Sequence, residues 1–378
     1  MNEKCETLNA VDAEEITERN NLAVFLRVER LEAIPNKDRI ELVHLKDNGY
    51  TTICEKGHKV GDLVVFIKYD TIVPDNELFA FMKEYKFRVK PRSFTERDEE
   101  DNVIKKIYSQ GIVLPLQTVI DFLLSQKTDA YEQLEDFAGS LEGFDLTTIL
   151  ETKKYIPPAI GGGSSFGQMC SKGDFPTHIV SKTDEVNVAS IVRALDELQG
   201  KPAYITLKIE GSSLTTMWDD ASEELMVCSR NNQIGEHETN KFWKAIHKYG
   251  LKEKLVDSPY TLQGECYGPG IQKNKLGASE ADVSIFNVID TRNGNRIRLN
   301  YELMISVLDG LAVPMVPVVF ETDSFDWTFD QLQEFADKQV YANGEIAEGI
   351  VLRCKKNFHS KILKSEWSVK IINRDYKL

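Results

Sequence analysis

Ala203-Tyr204-Ile205-Thr206-Leu207-Lys208-Ile209-Glu210-Gly211-Ser212-Ser213 is a strand-like run that ends on a lysine and breaks at a glycine turn. Alternating aromatic, β-branched and aliphatic residues favour an extended, largely buried chain, and Gly211 punctuates it. A lysine at the end of such a strand carries a primary amine into whatever cleft the sheet edge forms. With an ordinary pKa of ~10.4, only about one such amine in a thousand is neutral near pH 7.4. Desolvation or neighbouring cations lower that value and make a nucleophile. Read alone, the pattern Lys-x-Glu-Gly is short enough to recur by chance. Taken by itself it fits an ordinary strand-end lysine before a turn better than a catalytic one.

Further strand ends follow in order. Ser229-Arg230-Asn231 comes first, then Gly264-Glu265-Cys266-Tyr267-Gly268 and Val283-Ser284-Ile285-Phe286-Asn287-Val288. Glu348-Gly349-Ile350-Val351-Leu352-Arg353 and Ser368-Val369-Lys370-Ile371 complete the series. Between them, helical spacing is expected at Val188–Leu198, Lys241–Tyr249, Tyr301–Leu308 and Phe329–Val340. Strands alternating with helices in this way predict an α+β domain built on antiparallel sheets over residues 166–378.

The N-terminal part reads differently. After a polar tail at residues 1–20, short β-rich runs appear at Ala23–Val28, Ile40–Val43, Tyr50–Ile53, Leu63–Ile67 and Gly111–Leu114. Pro35-Asn36-Lys37-Asp38, Asn48-Gly49 and Gly61-Asp62 separate them, so residues 21–118 are expected to form a small barrel or sandwich. An OB-like barrel belongs to that class, although periodicity alone does not select it. Residues 119–165 form the connector. Val119, Ile120, Phe122, Leu123, Tyr131, Leu134, Phe137 and Leu141 have helical spacing, and Gly161-Gly162-Gly163-Ser164-Ser165 reads as a linker or surface loop.

Composition sets outer bounds. The 378 residues allow two domains, each with its own core. No apolar run approaches the roughly 20 residues of a membrane-spanning helix, and the polar start resembles neither a signal nor a transit peptide. Six cysteines stand far apart, without a CxxC pair, and six histidines form no cluster. A reducing, intracellular compartment is the expectation. The net charge of −14 argues against non-specific coating of nucleic acid. It leaves room for a local basic groove, because potential decays over about 8–10 Å. Lys86, Arg88 and Lys90, interleaved with Tyr85, Phe87 and Phe94, mark one such stretch, and the C-terminal lysines and arginines mark another.

Taken together, the strand-end series resembles the six-part signature of the covalent nucleotidyltransferases: DNA ligases, RNA ligases and mRNA capping enzymes. The resemblance covers about residues 145–378. Within that superfamily the chain is most similar to ATP-dependent RNA ligases with an N-terminal OB domain, the Deinococcus/Naegleria type. The β-rich module precedes the nucleotidyltransferase domain, and Glu32–Leu42 and Lys59–Val65 resemble that family's opening strands. Phe175-Pro176 and Lys182-Thr183-Asp184-Glu185 resemble its approach to the nucleophile.

The resemblance implies a lysyl-AMP on Lys208, transfer of AMP to a 5′-phosphate, and attack by a 3′-hydroxyl that seals RNA, in a role in RNA repair. The substrate would be a nicked duplex or broken strand, with no membrane and no obligate protein partner. ATP would be held by Lys208, Glu210, Arg230, Glu265, Phe286, Glu348 and Lys370, with Phe286 stacking on adenine. Glu210, Glu265 and Glu348 would converge on Mg²⁺ or Mn²⁺, largely through water. Lys273 and Lys275, with Lys86, Arg88 and Lys90, would contact polynucleotide. Several positions depart from the pattern. Glu210 stands where many ligases have aspartate, Leu207 replaces a polar residue, and Ser368 and Ile372 flank Lys370 where a second lysine is common. That phosphate contact is either missing or supplied from elsewhere, with Lys364 and Lys377 as the candidate substitutes. A capping guanylyltransferase, a DNA ligase and a non-catalytic RNA-binding module are the alternatives.

Overall fold

In the computed structural model the chain divides into two units, Met1–Pro157 and Pro158–Lys377. The structure describes residues 21–35, 37–97, 100–126, 141–155, 171–294 and 296–377, and of Asn293 and Lys377 the backbone alone. The N-terminal tail, Tyr131, Leu134, Phe137 and the Gly161–Ser165 stretch lie outside the described residues.

The first unit is built on an antiparallel sheet of β1 (Ala23–Ala33), β2 (Ile40–Leu45), β3 (Thr51–Glu55), β4 (Leu63–Lys68) and β5 (Gly111–Pro115), in spatial order β3-β2-β1-β4-β5. β1 is long because it serves two partners. Ala23–Arg27 pair with β4, Val28–Ala33 pair with β2, and a register shift between Val28 and Arg30 turns the corner. The outer strands then meet. Gln110 N–H donates to the Thr51 carbonyl at 2.7 Å and Thr52 Oγ1 to the Gly111 carbonyl at 2.6 Å, so the sheet nearly closes. The result is the small barrel anticipated from the spacing of the turns.

Phe25, Val65, Ile67 and Phe79 fill the barrel core, each contributing about 1.5–3 kcal/mol of burial. Helix α1 (Leu116–Ser125) adds Val119 and Leu123 to that core, and Leu146 and Leu150 join from further along. Part of the connector thus packs with the barrel. A further hairpin, Arg92–Arg97 with Val103–Ser109, was not anticipated, because its charged residues disguise the alternation.

The second unit holds two antiparallel-rich sheets. β6 (Ala203–Lys208) lies inside a five-stranded sheet between Val318–Thr322 and β7 (Gly349–Cys354), followed by β8 (Ser368–Ile372) and the short Val186–Asn187. Alternation along β6 explains its two jobs. Ala203 and Ile205 face a core with Leu332, Leu352, Trp367 and Val369, while Tyr204, Thr206 and Lys208 share the opposite face. The second sheet has seven strands, with Ser212–Asp219, Tyr260–Tyr267 and Asp282–Asp290 at its centre. Helices Lys241–Lys248 and Tyr301–Leu311 cover its apolar face.

Local chemistry sets the helix boundaries. Asn240 caps Lys241–Lys248, and Thr328 with Gln331 forms a reciprocal capping box on Phe329–Asp337. The expected helix over Val188–Leu198 is instead two 3-10 segments, Val188–Ser190 and Val192–Glu197. Ile191 interrupts them at φ −156°, outside any helical conformation. No helix among the described residues is long and apolar enough to cross a membrane.

Candidate active site

Lys208 closes β6 where its register partner is Gly349, so the lysine lies beside the residue that opens β7. Its Nζ donates to Glu348 Oε2 at 2.8 Å. Two glycines allow this crowding. A Cβ on Gly349, whose φ is +149°, would run into the Ile371 carbonyl, and one on Gly211 would strike the Cys266 carbonyl and the Glu265 side chain. Glu265 pairs in register with Ser213 on one side and Ser284 on the other, which places it on an interior strand of the second sheet. Lys370 comes from β8, in register with Val351 and Asn187.

The electrostatics of these four groups are coupled. Burial pulls the Lys208 ammonium towards neutrality, but the carboxylates of Glu348 and then Glu265 outweigh it and hold its pKa above the ordinary lysine value. The Glu265 carboxyl is pushed up to about 7, by burial first and by the like charge of Glu348, against the pull of Lys208 and Arg230. Lys370 is lowered to about 8 by burial and by the neighbouring Lys208 cation. Two cations and two carboxylates thus share one desolvated pocket, and perturbation of this kind is typical of sites that handle charge.

The remaining expected site residues are less concentrated. Arg230 is exposed and makes two hydrogen bonds to Asp184, at 2.8 and 2.9 Å, while also acting on Glu265. Phe286 is half-buried beside Leu207, Ile209 and Val316, with the Arg353 guanidinium 5.6 Å from its ring centre. Glu210 has both carboxylate oxygens engaged: Oε2 accepts from the Lys275 backbone N–H at 3.0 Å and Oε1 from the Tyr376 hydroxyl at 2.7 Å. Among the described residues no three His, Cys, Asp or Glu side chains converge as a preformed cation cage. Two of the three expected glutamates therefore face Lys208, and the third ties down the segment that carries Lys275.

Lys275 is half-buried with its ammonium 4.1 Å from the centre of the Tyr376 ring, and Lys273 is exposed. In the first unit, Lys86 and Lys90 are exposed, whereas Arg88 pairs with Asp70 at 2.9 Å and stacks over Tyr155 at 3.3 Å. Ser368, which stands where a second lysine is common, accepts from Arg353 Nε at 2.9 Å. Arg353 is buried and also bonds Glu185 and the Phe286 carbonyl. Of the expected substitutes, Lys364 is exposed and the side chain of Lys377 lies outside the described residues.

Three residues here escaped the sequence reading. Tyr341 ties Lys208, Glu210 and Glu348 together, Tyr376 holds Glu210, and Glu185 neutralises Arg353. Only Glu185 had a sequence signal, the Lys182–Glu185 phrase.

Comparison with known proteins adds independent evidence. Residues 201–370 match a family described as RNA ligase, and residues 22–116 match an OB-fold domain family. No curated protein sequence matches. Among solved structures, a Naegleria gruberi RNA ligase variant without ligand is 26% identical, with a TM-score of 0.71 over 94% of this chain and 97% of that one. The same ligase solved with pyrophosphate gives the same values. A variant solved with ATP and Mn is 26% identical, with a TM-score of 0.71 over 94% of this chain and 98% of that one. The chain thus carries an RNA ligase domain over residues 201–370, and an OB-fold domain at residues 22–116 precedes it.

Proposed function

We propose that this RNA ligase uses ATP to join a 3′-hydroxyl to a 5′-phosphate through an adenylate on Lys208. The observation that carries the reading is the pairing of Lys208 with Glu348, beside Glu265 and Lys370, in one pocket of the ligase domain. The solved structure of a variant of the similar Naegleria gruberi ligase with ATP and Mn supports the choice of nucleotide and cation.

In the first step the neutral Lys208 amine attacks the α-phosphorus. The N–P bond forms, the bond from the α-phosphorus to the bridging oxygen breaks, pyrophosphate leaves, and the displaced Nζ proton passes to solvent. AMP then moves to the 5′-phosphate of the RNA, and the 3′-hydroxyl displaces it. Lys370, desolvated on β8 across β7 from the Lys208 strand, neutralises charge on the α-phosphate, the main requirement of such transfers. Arg230 serves the ribose or a phosphate once it exchanges Asp184 for the nucleotide. Phe286 offers its ring to adenine.

Carboxylate oxygens suit a hard divalent cation. Glu265 and Glu348 would hold Mg²⁺ or Mn²⁺, with Glu210 acting through water, and the cation would supply charge neutralisation and disfavour the ammonium form of Lys208. Lys273, Lys275, Lys86, Arg88 and Lys90 are assigned to RNA phosphate, in a nicked duplex or broken strand arising in RNA repair.

The test is sealing of a nicked duplex with a 5′-³²P end by the wild-type protein and by Lys208→Ala. Sealing with ATP by the wild type alone is expected. Equal sealing by both proteins would refute the role of Lys208. Sealing that persists only when the 3′-terminal nucleotide is deoxyribose would move the substrate to DNA.

A further inference from the structure

Tyr341 is 3% exposed and sits in a tight turn far from Lys208 in sequence. Backbone bonds hold that turn rigid: Gly344 N–H donates to the Tyr341 carbonyl at 2.9 Å and Tyr341 N–H to the Glu345 carbonyl at 2.8 Å. An isolated bridge between Val340 and Ile346 closes its base. From there the hydroxyl reaches the end of β6. It donates to the Lys208 carbonyl at 2.8 Å, and accepts from Glu210 N–H at 3.0 Å and from Glu348 N–H at 3.2 Å. A phenol has one proton to give and two lone pairs. All three are spent on the backbone of the nucleophile's strand and of the carboxylate that pairs with it.

We propose that Tyr341 is a positioning residue for the adenylylation step: its hydroxyl fixes the spacing between Lys208 and Glu348, and so the line of attack of the amine. This inference rests on the reading of Lys208 as the nucleophile. The 2.8 Å contact of Lys208 Nζ with Glu348 joins two side chains, both of which have rotameric freedom. The hydroxyl of Tyr341 instead joins their main chains. It is the common partner of both residues, while the ring packs with Leu207, Ile209, Val316 and Ala347. Removing the oxygen alone leaves that packing intact and loosens the reacting geometry, to which transfer rates are sensitive at the 1 Å level.

The test is Tyr341→Phe against wild type, with Tyr301→Phe as control. Tyr301 is also buried and also donates a hydrogen bond, to Glu321 at 2.8 Å, away from the pocket. Self-adenylylation is followed with α-³²P-ATP over a range of ATP concentrations. Sealing of a chemically 5′-adenylylated strand is measured on the same preparations. In Tyr341→Phe the maximal adenylylation rate is expected to fall about 10- to 100-fold, with the KM for ATP held within about two-fold. Sealing of the pre-adenylylated strand, which does not use the Lys208 amine as nucleophile, is expected to survive. Tyr301→Phe is expected to behave as wild type in both assays. Equal loss of both activities in Tyr341→Phe would indicate a structural role and overturn the proposal. A rise in KM alone, or no change, would overturn it too. Absence of label in the wild type would refute the proposed function itself, and this inference with it.

Discussion

Replacing Glu265 by glutamine should make the nucleotide-free protein more stable above neutral pH while destroying its activity. The Glu265 carboxyl moves from the 4.5 of a free glutamate to about 7 in the folded chain, chiefly through desolvation. A carboxyl whose folded pKa is raised favours the native state while it holds its proton. Its contribution is fully present below about 4.5 and is lost as pH rises through 7. The displacement from 4.5 to about 7 corresponds to about 3 kcal/mol. Glutamine at this position stays neutral at every pH and avoids the loss. At 2–4 °C per kcal/mol for a domain of this size, Glu265→Gln should melt about 6–12 °C above wild type at pH 8 and close to it at pH 4.5. Calorimetry without nucleotide or metal, at both pH values, reads the difference directly, since every other group titrates in both proteins. A pH-independent difference, or a variant less stable than wild type at pH 8, would refute the claim that burial of this charge is costly. Such a cost is what a functional site commonly imposes on its fold.

Other expectations follow from the same geometry. Arg353→Met should destabilise the protein by about 3–5 kcal/mol, because it strands the Glu185 carboxylate in the interior; thermal melting would show it, and a double change with Glu185→Met should recover most of the loss. The KM for ATP should rise above pH 8 as Lys370 loses its proton, and the dependence should vanish in Lys370→Met. Lys208→Ala should lose joining of 5′-phosphorylated RNA yet retain weak sealing of a pre-adenylylated strand. Lys86→Ala with Lys90→Ala should weaken RNA binding and reduce its salt dependence by about one unit per lost phosphate contact, leaving self-adenylylation unchanged.

The legible parts of the molecule are those written in local chemistry. The alternation of Ala203–Lys208 announces a strand with one core face and one polar face, and Gly211 announces its end. The order of Lys208, Arg230, Glu265, Phe286, Glu348 and Lys370 on successive strand ends carries the family resemblance. The structure brings Lys208, Glu265, Glu348 and Lys370 into one pocket. The barrel's turns at Asn48-Gly49 and Gly61-Asp62 are equally visible.

Long-range partnerships are not. Nothing near Tyr341 in sequence signals that its hydroxyl bonds the Lys208 carbonyl. The same is true of Tyr376 and Glu210, which lie 166 residues apart in the chain. The sequence marks Glu210 as a candidate metal carboxylate and gives no sign that its two oxygens also accept from the Lys275 backbone and the Tyr376 hydroxyl. Ile191, with a strand-like φ inside a helical apolar pattern, shows how one backbone angle divides a segment that periodicity treats as continuous.

The most direct test of the central claim is peptide mapping of the protein after incubation with α-³²P-ATP and Mg²⁺ or Mn²⁺. The label is expected on the peptide containing Lys208, acid-labile as a phosphoramidate should be, and absent from Lys208→Ala. Label on any other lysine, Lys370 included, or label from GTP in place of ATP, would contradict it.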